Sequence, residues 1–260
     1  DLAAEKNREL PRILLAASEC APLAKTGGLA DVVGTLPRYL RRLGVDARVM
    51  IPYHRIIKEK YGEEIEHLFS FEISLGWRKK FVGVNRLMLD NTCIWLIEND
   101  EYFGGAIYLS DREGEQYAFF TRAVLEALPR LDFKPQVLHC NDWESALAVI
   151  YLKDQQVTRP ELRGIKTVFT IHNIAYQGQF GENLLWDVFG LDHGWYDGGL
   201  GFEYEGRRDV NLMKGAMLMA DAVSTVSPNY ARELHSPRYG YRLEGVADMV
   251  SGKMYGILNG

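Results

Sequence analysis

The chain has 260 residues and a formal net charge of −5; 47% of its residues are hydrophobic and 25% are charged. These values are typical of a globular protein with one large domain or two small ones. The sequence has no long basic run and no apolar run of membrane-spanning length, so we expect neither nucleic acid nor a membrane as a partner. It also lacks a secretory signal, which predicts a cytoplasmic protein.

The chain opens with a polar stretch. Residues 1–10 are predicted to be a disordered or cloning-derived tail ahead of one domain over residues 11–260. The three cysteines are odd in number, widely spaced and set in apolar, strand-like surroundings: Cys20, Cys93 and Cys140. We therefore expect buried thiols in a reducing compartment, with neither disulfides nor a zinc site.

The first strand and helix follow directly. Residues 13–18 form an apolar run that is typical of a buried parallel strand. Apolar residues then recur at helical spacing from Leu29 to Leu43. Pro37 lacks an amide hydrogen and predicts a kink or restart of this helix, and Gly44 predicts its end. Residues 46–52 are predicted to form a second strand.

The stretch over residues 65–98 has a different pattern. Apolar residues alternate with polar ones, and turn signals occur at Gly76 and at Asp90-Asn91. Alternation interrupted by such turns predicts a small antiparallel insertion. Helical spacing returns over residues 116–128.

The later part of the chain alternates between strands and helices. Strands are predicted over residues 136–140, 166–171 and 222–226, and a helix over 210–220. Ser227, followed by a proline, is typical of the start of another helix. The alternation predicts an α/β fold with a mainly parallel sheet.

A glycine pair lies where the first strand passes into the first helix. Gly27 and Gly28 allow unusual backbone angles and leave no side chain in the way. Amides at a helix N-terminus attract anions, and Lys25 adds a positive charge beside them. These features suggest a sugar phosphate or nucleotide diphosphate ligand, although the pair is also compatible with a simple tight turn. The spacing fits neither a Walker loop nor the dinucleotide fingerprint.

Polar residues gather where predicted strands end, which is where open α/β sheets bind ligands. Glu19 follows the first strand, Asp142 follows a later strand, and His172 and Asn173 follow another. Taken singly, Asp142 could be a helix N-cap and His172 a satisfied core histidine. Taken together they favour a site, with a carboxylate and an imidazole suited to sugar hydroxyls. No serine or cysteine nucleophile motif and no metal-ligand spacing is present.

Several ordered motifs resemble those of bacterial glycogen synthases and plant starch synthases, the ADP-glucose-dependent retaining glucosyltransferases of family GT5. The resemblance covers essentially the whole chain. The main motifs are K-T-G-G-L-A-D-V-V-G at 25–34, H-C-N-D-W at 139–143, T-I-H-N at 170–173, Y-Q-G at 176–178, T-V-S-P-N-Y-A-R-E at 225–233 and G-I-L-N-G at 256–260.

The resemblance implies a GT-B architecture, in which two Rossmann-like domains face each other across a cleft. It identifies residues 11–260 as the N-terminal catalytic domain, with a Rossmann-like, doubly wound sheet, and implies that the C-terminal nucleotide-binding domain is absent from this sequence. It also implies ADP-glucose as donor, an α-1,4-glucan as acceptor and no cofactor. We expect this part alone to turn over poorly or not at all.

The resemblance also suggests roles for individual residues. Lys25 would contact ADP-glucose near its diphosphate or ribose, and Gly27 and Gly28 would let the donor approach the backbone. Asp142 and His172 would be catalytic, holding the transferred glucose and the incoming hydroxyl. Glu19 and Asn173 are further substrate-binding candidates, by their positions at the strand ends.

Weaker candidates for the acceptor site are Tyr176, Gln177 and the aromatic loop over residues 195–204, which could equally be a packed surface loop. The family often has a second histidine after Asn-Asp-Trp, where this chain has Glu144. Two other functions stay open: a transferase that uses UDP-glucose or makes another glucoside, and a non-catalytic glucan-binding or regulatory module.

Overall fold

A nine-stranded sheet runs through the molecule, whose computed structural model describes residues 10–259. The predicted tail lies outside the described residues, apart from Leu10. The strands are β1 (Arg12–Ala16), β2 (Asp46–Pro52), β3 (Glu66–Leu75), β4 (Arg78–Leu89), β5 (Thr92–Glu98), β6 (Val137–Asn141), β7 (Lys166–Ile171), β8 (Gln179–Gly181), β9 (Gly201–Tyr204), β10 (Arg207–Asn211), β11 (Ala222–Thr225) and β12 (Met254–Gly256).

The α-helices lie between these strands: α1 (Gly28–Arg42), α2 (Arg55–Tyr61), α3 (Asp100–Phe103), α4 (Glu113–Ala127), α5 (Ala146–Gln155), α6 (Leu184–Asp187), α7 (Leu212–Met219), α8 (Pro228–Glu233) and α9 (Glu244–Met249). Short 3₁₀ turns occur at Gly62–Glu64, Leu128–Arg130, Trp143–Ser145, Pro160–Leu162 and Ser251–Lys253, and a π turn at Tyr196–Leu200.

The order of the large sheet is β12-β11-β7-β6-β1-β2-β5-β4-β3. All neighbours from β12 to β5 pair in parallel, whereas β4 is antiparallel to both β5 and β3. A second sheet, β8-β10-β9, is antiparallel throughout. The predicted α/β fold with a mainly parallel sheet is confirmed.

The predicted antiparallel insertion is part of the main sheet. Its two hairpins turn at Gly76 and at Asp90-Asn91, all three with positive φ, as the turn signals predict. However, β5 pairs in parallel with β2, placing Ile94 opposite Val49. The hairpins therefore extend one end of the sheet, because β5 has two edges and only one of them is taken by β4.

Two apolar cores lie on the two faces of the sheet, and β1 contributes to both. Leu14 and Ala16 pack into one core, and Leu15 and Ala17 into the other. Burying one such leucine stabilises the fold by about 1.5–3 kcal/mol. Helices α4 and α5 add to the first core and α1 to the second. The sheet is therefore covered on both faces, as in a doubly wound fold.

Two local predictions need correction: the restart at Pro37 and the first residue of the helix predicted over 210–220. Helix α1 runs through Pro37 without a restart, because this proline is buried on the apolar stripe that also holds Leu29 and Val33. The helix predicted over 210–220 begins only at Leu212, because the side chain of Asn211 caps it by accepting from the amide of Lys214. The residues before it form β10.

The three cysteines are free thiols, with Cys20 and Cys140 buried and Cys93 half-buried. The expected burial is confirmed for Cys20 and Cys140, whereas Cys93 is only half-buried. The sheet order brings the carboxyl ends of β1, β6 and β7 side by side, so the loops that follow these strands meet at one edge of the sheet.

Candidate functional site

A cavity of about 620 Å³ opens at this edge, and we call it the strand-end cavity. It joins the loops after β1, β6 and β7 to the N-terminus of α1. Seven of the nine candidate residues line it: Glu19, Gly27, Gly28, Asp142, His172, Asn173 and Tyr176. The topology thus brings together side chains that are more than 150 residues apart in the sequence.

Asp142 sits in a strained backbone conformation, with φ 56° and ψ −178°. This region is almost reserved for glycine and costs about 1–3 kcal/mol for other residues. Its Oδ1 accepts hydrogen bonds from the backbone amides of His172 at 2.7 Å and Asn173 at 3.3 Å. Its side chain caps no helix, so the N-cap alternative is wrong. Burial raises its pKa to about 7.

His172 is half-buried at the end of β7. Its Nε2 lies 3.0 Å from Oδ1 of Asn141, whose own amide nitrogen points to the carbonyls of Ala16 and His139. Because that Asn oxygen is an acceptor, we assign the proton of His172 to Nε2, leaving Nδ1 as an acceptor. Burial lowers the pKa of His172 to about 4, so the ring is neutral at pH 7. A neutral, oriented imidazole can accept a proton or a hydroxyl hydrogen bond.

Glu19 holds the glycine loop in place. One of its carboxylate oxygens accepts from the backbone amide of Thr26, and the other accepts from the hydroxyl of Tyr108 at 2.8 Å. The hydroxyl group of Ser18 lies 3.1 Å from that of Tyr108 and extends the network. Both Glu19 oxygens therefore have partners within the chain, and its evident role is to orient the loop that leads to Gly27.

Glu144, which stands where the family often has a second histidine, also lines the cavity, although it was not among the predicted site residues. It is only 8% exposed, and its Oε2 is buried with no hydrogen-bond partner. Burial raises its pKa well above the ordinary value, and the nearby Asp142 raises it further. Tyr108 and Glu113 are two further cavity residues outside the predicted set.

The glycine pair needs no special backbone angle. Gly27 has an extended backbone with φ −153°, and Gly28 is the first residue of α1. A Cβ added to either residue would meet nothing within 4 Å. The unusual backbone angles expected at this pair are therefore absent, since neither residue has a positive φ, whereas a simple tight turn stays an open alternative. The pair leaves open space in front of the α1 N-terminus, which has no side-chain cap.

Two candidate residues do not line the strand-end cavity. The ammonium group of Lys25 forms an ion pair with Asp31 at 2.8 Å, with 51% of its side chain exposed. Gln177 lies on the other side of the turn and lines a second cavity of about 300 Å³, with Ala175, Gln179, Phe202, Tyr204, Tyr241 and Arg242. We call this the aromatic cavity. Of the aromatic loop, Phe202 and Tyr204 reach it, whereas Tyr196 is buried.

Acidic side chains line the strand-end cavity without basic ones of the lysine or arginine type among its described lining residues. Four carboxyl groups line it, those of Glu19, Glu113, Asp142 and Glu144. Within residues 10–259, no lysine or arginine is among its lining residues. The same residues contain no cluster of three or more potential ligands that could hold a metal ion, and no helix among them is long and apolar enough to span a membrane.

Comparisons with known proteins agree with this architecture. Residues 12–249 match the family model of the starch synthase catalytic domain. Glycogen synthases from Streptococcus gordonii and Streptococcus sanguinis are each 42% identical over 251 residues, covering 96% of this chain and 52% of theirs. The catalytic domain of starch synthase IV from Arabidopsis thaliana, bound to ADP and acarbose, superposes with a TM-score of 0.86 at 28% identity, covering 96% of this chain and 52% of that one.

The chain thus spans about half the length of the relatives that it matches. The family model extends over most of its residues, and the expected GT-B type of α/β fold is confirmed by the structural neighbour. The resemblance carried by the glycine loop and the strand-end motifs is confirmed as well. This chain belongs to the starch synthase catalytic domain family.

Proposed function

We propose that this chain forms the sugar-binding half of a retaining glucosyltransferase that extends an α-1,4-glucan with glucose from ADP-glucose. The observation that carries the proposal is the pairing of Asp142 and His172 in one cavity, opposite the uncapped N-terminus of α1. Relatives named glycogen synthase support the reaction class, and ADP and acarbose bound to the neighbour support the ligand classes.

The two ends of the cavity suit the two ends of a nucleotide sugar. Amides at the α1 N-terminus favour an anion, so the diphosphate belongs beside Gly27 and Gly28. Carboxyl and imidazole groups accept hydrogen bonds from hydroxyls, so the glucose belongs beside Asp142 and His172. The reverse orientation would place the diphosphate against Asp142, which repels it when its carboxyl group is ionised.

The transfer itself would rely on positioning and electrostatics. As the diphosphate leaves, positive charge develops on the sugar ring, and an ionised Asp142 beside the ring stabilises that charge. Nδ1 of the neutral His172 is free to accept a hydrogen bond from a sugar or acceptor hydroxyl. The bonds from Asp142 to the next loop keep both groups oriented before the ligand arrives.

A second domain completes the site in this proposal. The relatives are about twice as long as this chain, and the cavity residues described here include no lysine or arginine for the leaving diphosphate. We infer that a C-terminal domain supplies those cations and closes over the cavity. Closure would also exclude water, so that glucose is transferred to the glucan and not hydrolysed.

The test uses the complete gene product, incubated with labelled ADP-glucose and maltoheptaose. We expect transfer of label to the non-reducing end with an α-linkage, and no transfer by residues 1–260 alone. Equal use of UDP-glucose would favour the alternative donor. Binding of the oligosaccharide with no transfer from any donor would instead favour a glucan-binding module and overturn the proposal.

A further inference from the structure

His54 lies behind the loop that joins β1 to α1. Because β1 and β2 are parallel neighbours, Ser18 and His54, which follow their carboxyl ends, come together. The imidazole is 1% exposed, and its Nε2 lies 2.7 Å from the backbone carbonyl oxygen of Ser18. A carbonyl oxygen only accepts, so we assign the proton of the ring to Nε2, which donates this hydrogen bond. Burial lowers the pKa of His54 to about 4, so the ring carries one proton at neutral pH.

The side chain of His54 does not serve the helix that it precedes. His54 is the residue before α2, but its side chain makes no capping hydrogen bond there. The ring packs against that of Phe103, with centroids 5.6 Å apart, and its Nδ1 is buried with no hydrogen-bond partner among the described residues. A leucine at this position would avoid the cost of an unpaired buried nitrogen. The hydrogen bond to Ser18 is therefore what a histidine adds here.

Ser18 begins a chain of hydrogen bonds that ends at the glycine loop. Its hydroxyl group lies 3.1 Å from that of Tyr108, which donates to one carboxylate oxygen of Glu19 at 2.8 Å. The other carboxylate oxygen accepts from the backbone amide of Thr26, the residue before Gly27. The orientation of the Ser18–Glu19 peptide therefore decides where the chain enters the glycine pair.

The middle of the same loop is held by α1. The backbone amide of Ala21 donates to the carbonyl of Ala30 at 2.9 Å. A Cβ added to Gly34 would overlap the carbonyl oxygen of Ala21, so helix and loop are in close contact there. The loop is thus fixed from α1 on one side and from the end of β2, through His54, on the other.

We propose that His54 is a positioning residue for the binding of ADP-glucose, acting through Ser18 and Glu19 on the glycine loop. The inference rests on the proposed function, in which the diphosphate lies beside Gly27 and Gly28. Without the hydrogen bond from Nε2, the Ser18–Glu19 peptide is free to turn, and the amides at the α1 N-terminus are no longer held in one arrangement. His54 itself is not one of the described residues that line the strand-end cavity. Its loss should therefore weaken binding of ADP-glucose and leave the transfer step almost unchanged.

The first measurement follows the glycine loop directly, by hydrogen exchange of single backbone amides in the 260-residue chain, observed by nuclear magnetic resonance. The amide of Thr26 reports on its bond to Glu19, and that of His172, which donates to Asp142, is the reference on the other side of the cavity. In His54→Leu we expect the Thr26 amide to exchange about tenfold faster relative to the His172 amide. His54→Gln should keep the wild-type ratio, because its side-chain amide nitrogen can reach the same carbonyl.

The second measurement is the kinetics of glucosyl transfer by the complete gene product. We expect His54→Leu to raise the KM for ADP-glucose about tenfold and to change kcat less than about twofold, whereas His54→Gln should have nearly wild-type constants. His67→Leu, at an exposed histidine on β3, is the matched control and should change neither the exchange ratio nor the KM. A merely structural role of His54 would not separate KM from kcat in this way.

A second variant covers the case in which His54→Leu does not fold. The side-chain amide of His54→Asn is too short to reach the Ser18 carbonyl, so this variant should behave as His54→Leu does. The proposal is overturned if the amides of Thr26 and His172 respond alike in a folded variant that lacks the hydrogen bond, or if KM stays at the wild-type value. The proposed function fails separately. Absence of transfer from any sugar nucleotide would refute that function, while the exchange ratio would still decide whether His54 holds the glycine loop.

Discussion

The two sides of the strand-end cavity are built differently. On the strand side, Asp142 and His172 are each hydrogen-bonded to a neighbouring loop or strand. On the helix side, Gly27 and Gly28 contact nothing at the Cβ position, and Lys25 is half exposed. The strand side is preorganised by the chain itself, whereas the helix side presents unused donors and open space. Substitutions on the strand side should therefore affect the reaction most, and those on the helix side should affect mainly donor binding.

The largest effect is expected from Asp142→Asn on the strand side. The amide oxygen can still accept from the backbone of residues 172–173, so the fold should persist, but the negative charge beside the sugar is lost. We expect the rate of glucosyl transfer by the complete gene product to fall on the order of a hundredfold or more.

Asp132→Asn is the matched control, since Asp132 is exposed in the segment between α4 and β6. Its rate should equal that of the wild type. Retention of most activity in Asp142→Asn, with a native circular dichroism spectrum, would show that the charge of Asp142 is not needed.

A smaller effect is expected from Gly28→Ala on the helix side. The new methyl group meets no protein atom, so the free energy of unfolding should not decrease. It would lie where the donor approaches the amides, and we expect the KM for ADP-glucose to rise about tenfold with little change in kcat.

Gly62→Ala tests the same substitution away from the cavity, at a helical glycine that also has open space. It should leave KM unchanged. A Gly28→Ala enzyme with wild-type KM would place the donor elsewhere.

Lys25→Ala should have a weaker effect on the same side. The ion pair with Asp31 is exposed, and pairs of this kind contribute about 0–1 kcal/mol to stability. If the ammonium group turns from Asp31 to the donor phosphate, its loss should raise the KM for ADP-glucose about fivefold. Lys60→Ala, on the exposed side of α2, is the control. Equal kinetic constants for Lys25→Ala and the wild type would remove Lys25 from the donor site.

The smallest effect concerns stability and comes from Glu144→Gln. The pKa of Glu144 is raised in the folded state, so its contribution to stability is present at low pH and is lost as the pH rises towards the folded value. The amide has no proton to lose. We expect the melting temperature of Glu144→Gln minus that of the wild type to increase as the pH rises from 5 to 8.

The pKa of His172 is lowered to about 4 and makes stability rise from pH 4 to about 6.5, but this ring is unchanged in the variant and cancels in the difference. The pKa of Asp142 is raised to about 7 and changes stability in the same direction as that of Glu144. Because the two carboxyl groups interact, the trend reports the pair of them. Glu63→Gln, at an exposed carboxylate, is the control and should show no such trend; a constant temperature difference for Glu144→Gln would mean that Glu144 is ionised throughout.

Sequence patterns were most informative where local chemistry decides the structure. The bounds predicted for β2 and β7 agree with the structure, and Ser227 caps α8 by accepting from the amide of Tyr230, as expected. The pairing of β5 with β2 was not predictable, because alternation of apolar residues identifies a strand but not its neighbour. The restart at Pro37 was wrong because burial outweighs the loss of one helix hydrogen bond.

The part of the site that lies at the ends of neighbouring strands was predictable from the sequence. Residues at the ends of β6 and β7 meet because those strands are adjacent. Glu144 was noted only as a departure from the family pattern; its burial was not predicted, since a glutamate at the start of a helix ordinarily faces solvent, and here α4 packs against this turn. The aromatic cavity depends on Tyr241 and Arg242, whose positive φ values have no counterpart in the sequence pattern.

The backbone strain at Asp142 links the two loops of the site mechanically. The strained peptide persists because its carboxylate is anchored to the amides of residues 172 and 173. Neither loop can shift alone without breaking those anchors, at which point the peptide would relax and swing the carboxylate away from the sugar. A ligand that contacts both loops therefore stabilises this arrangement. A mutation that displaces either loop would also release the other from it.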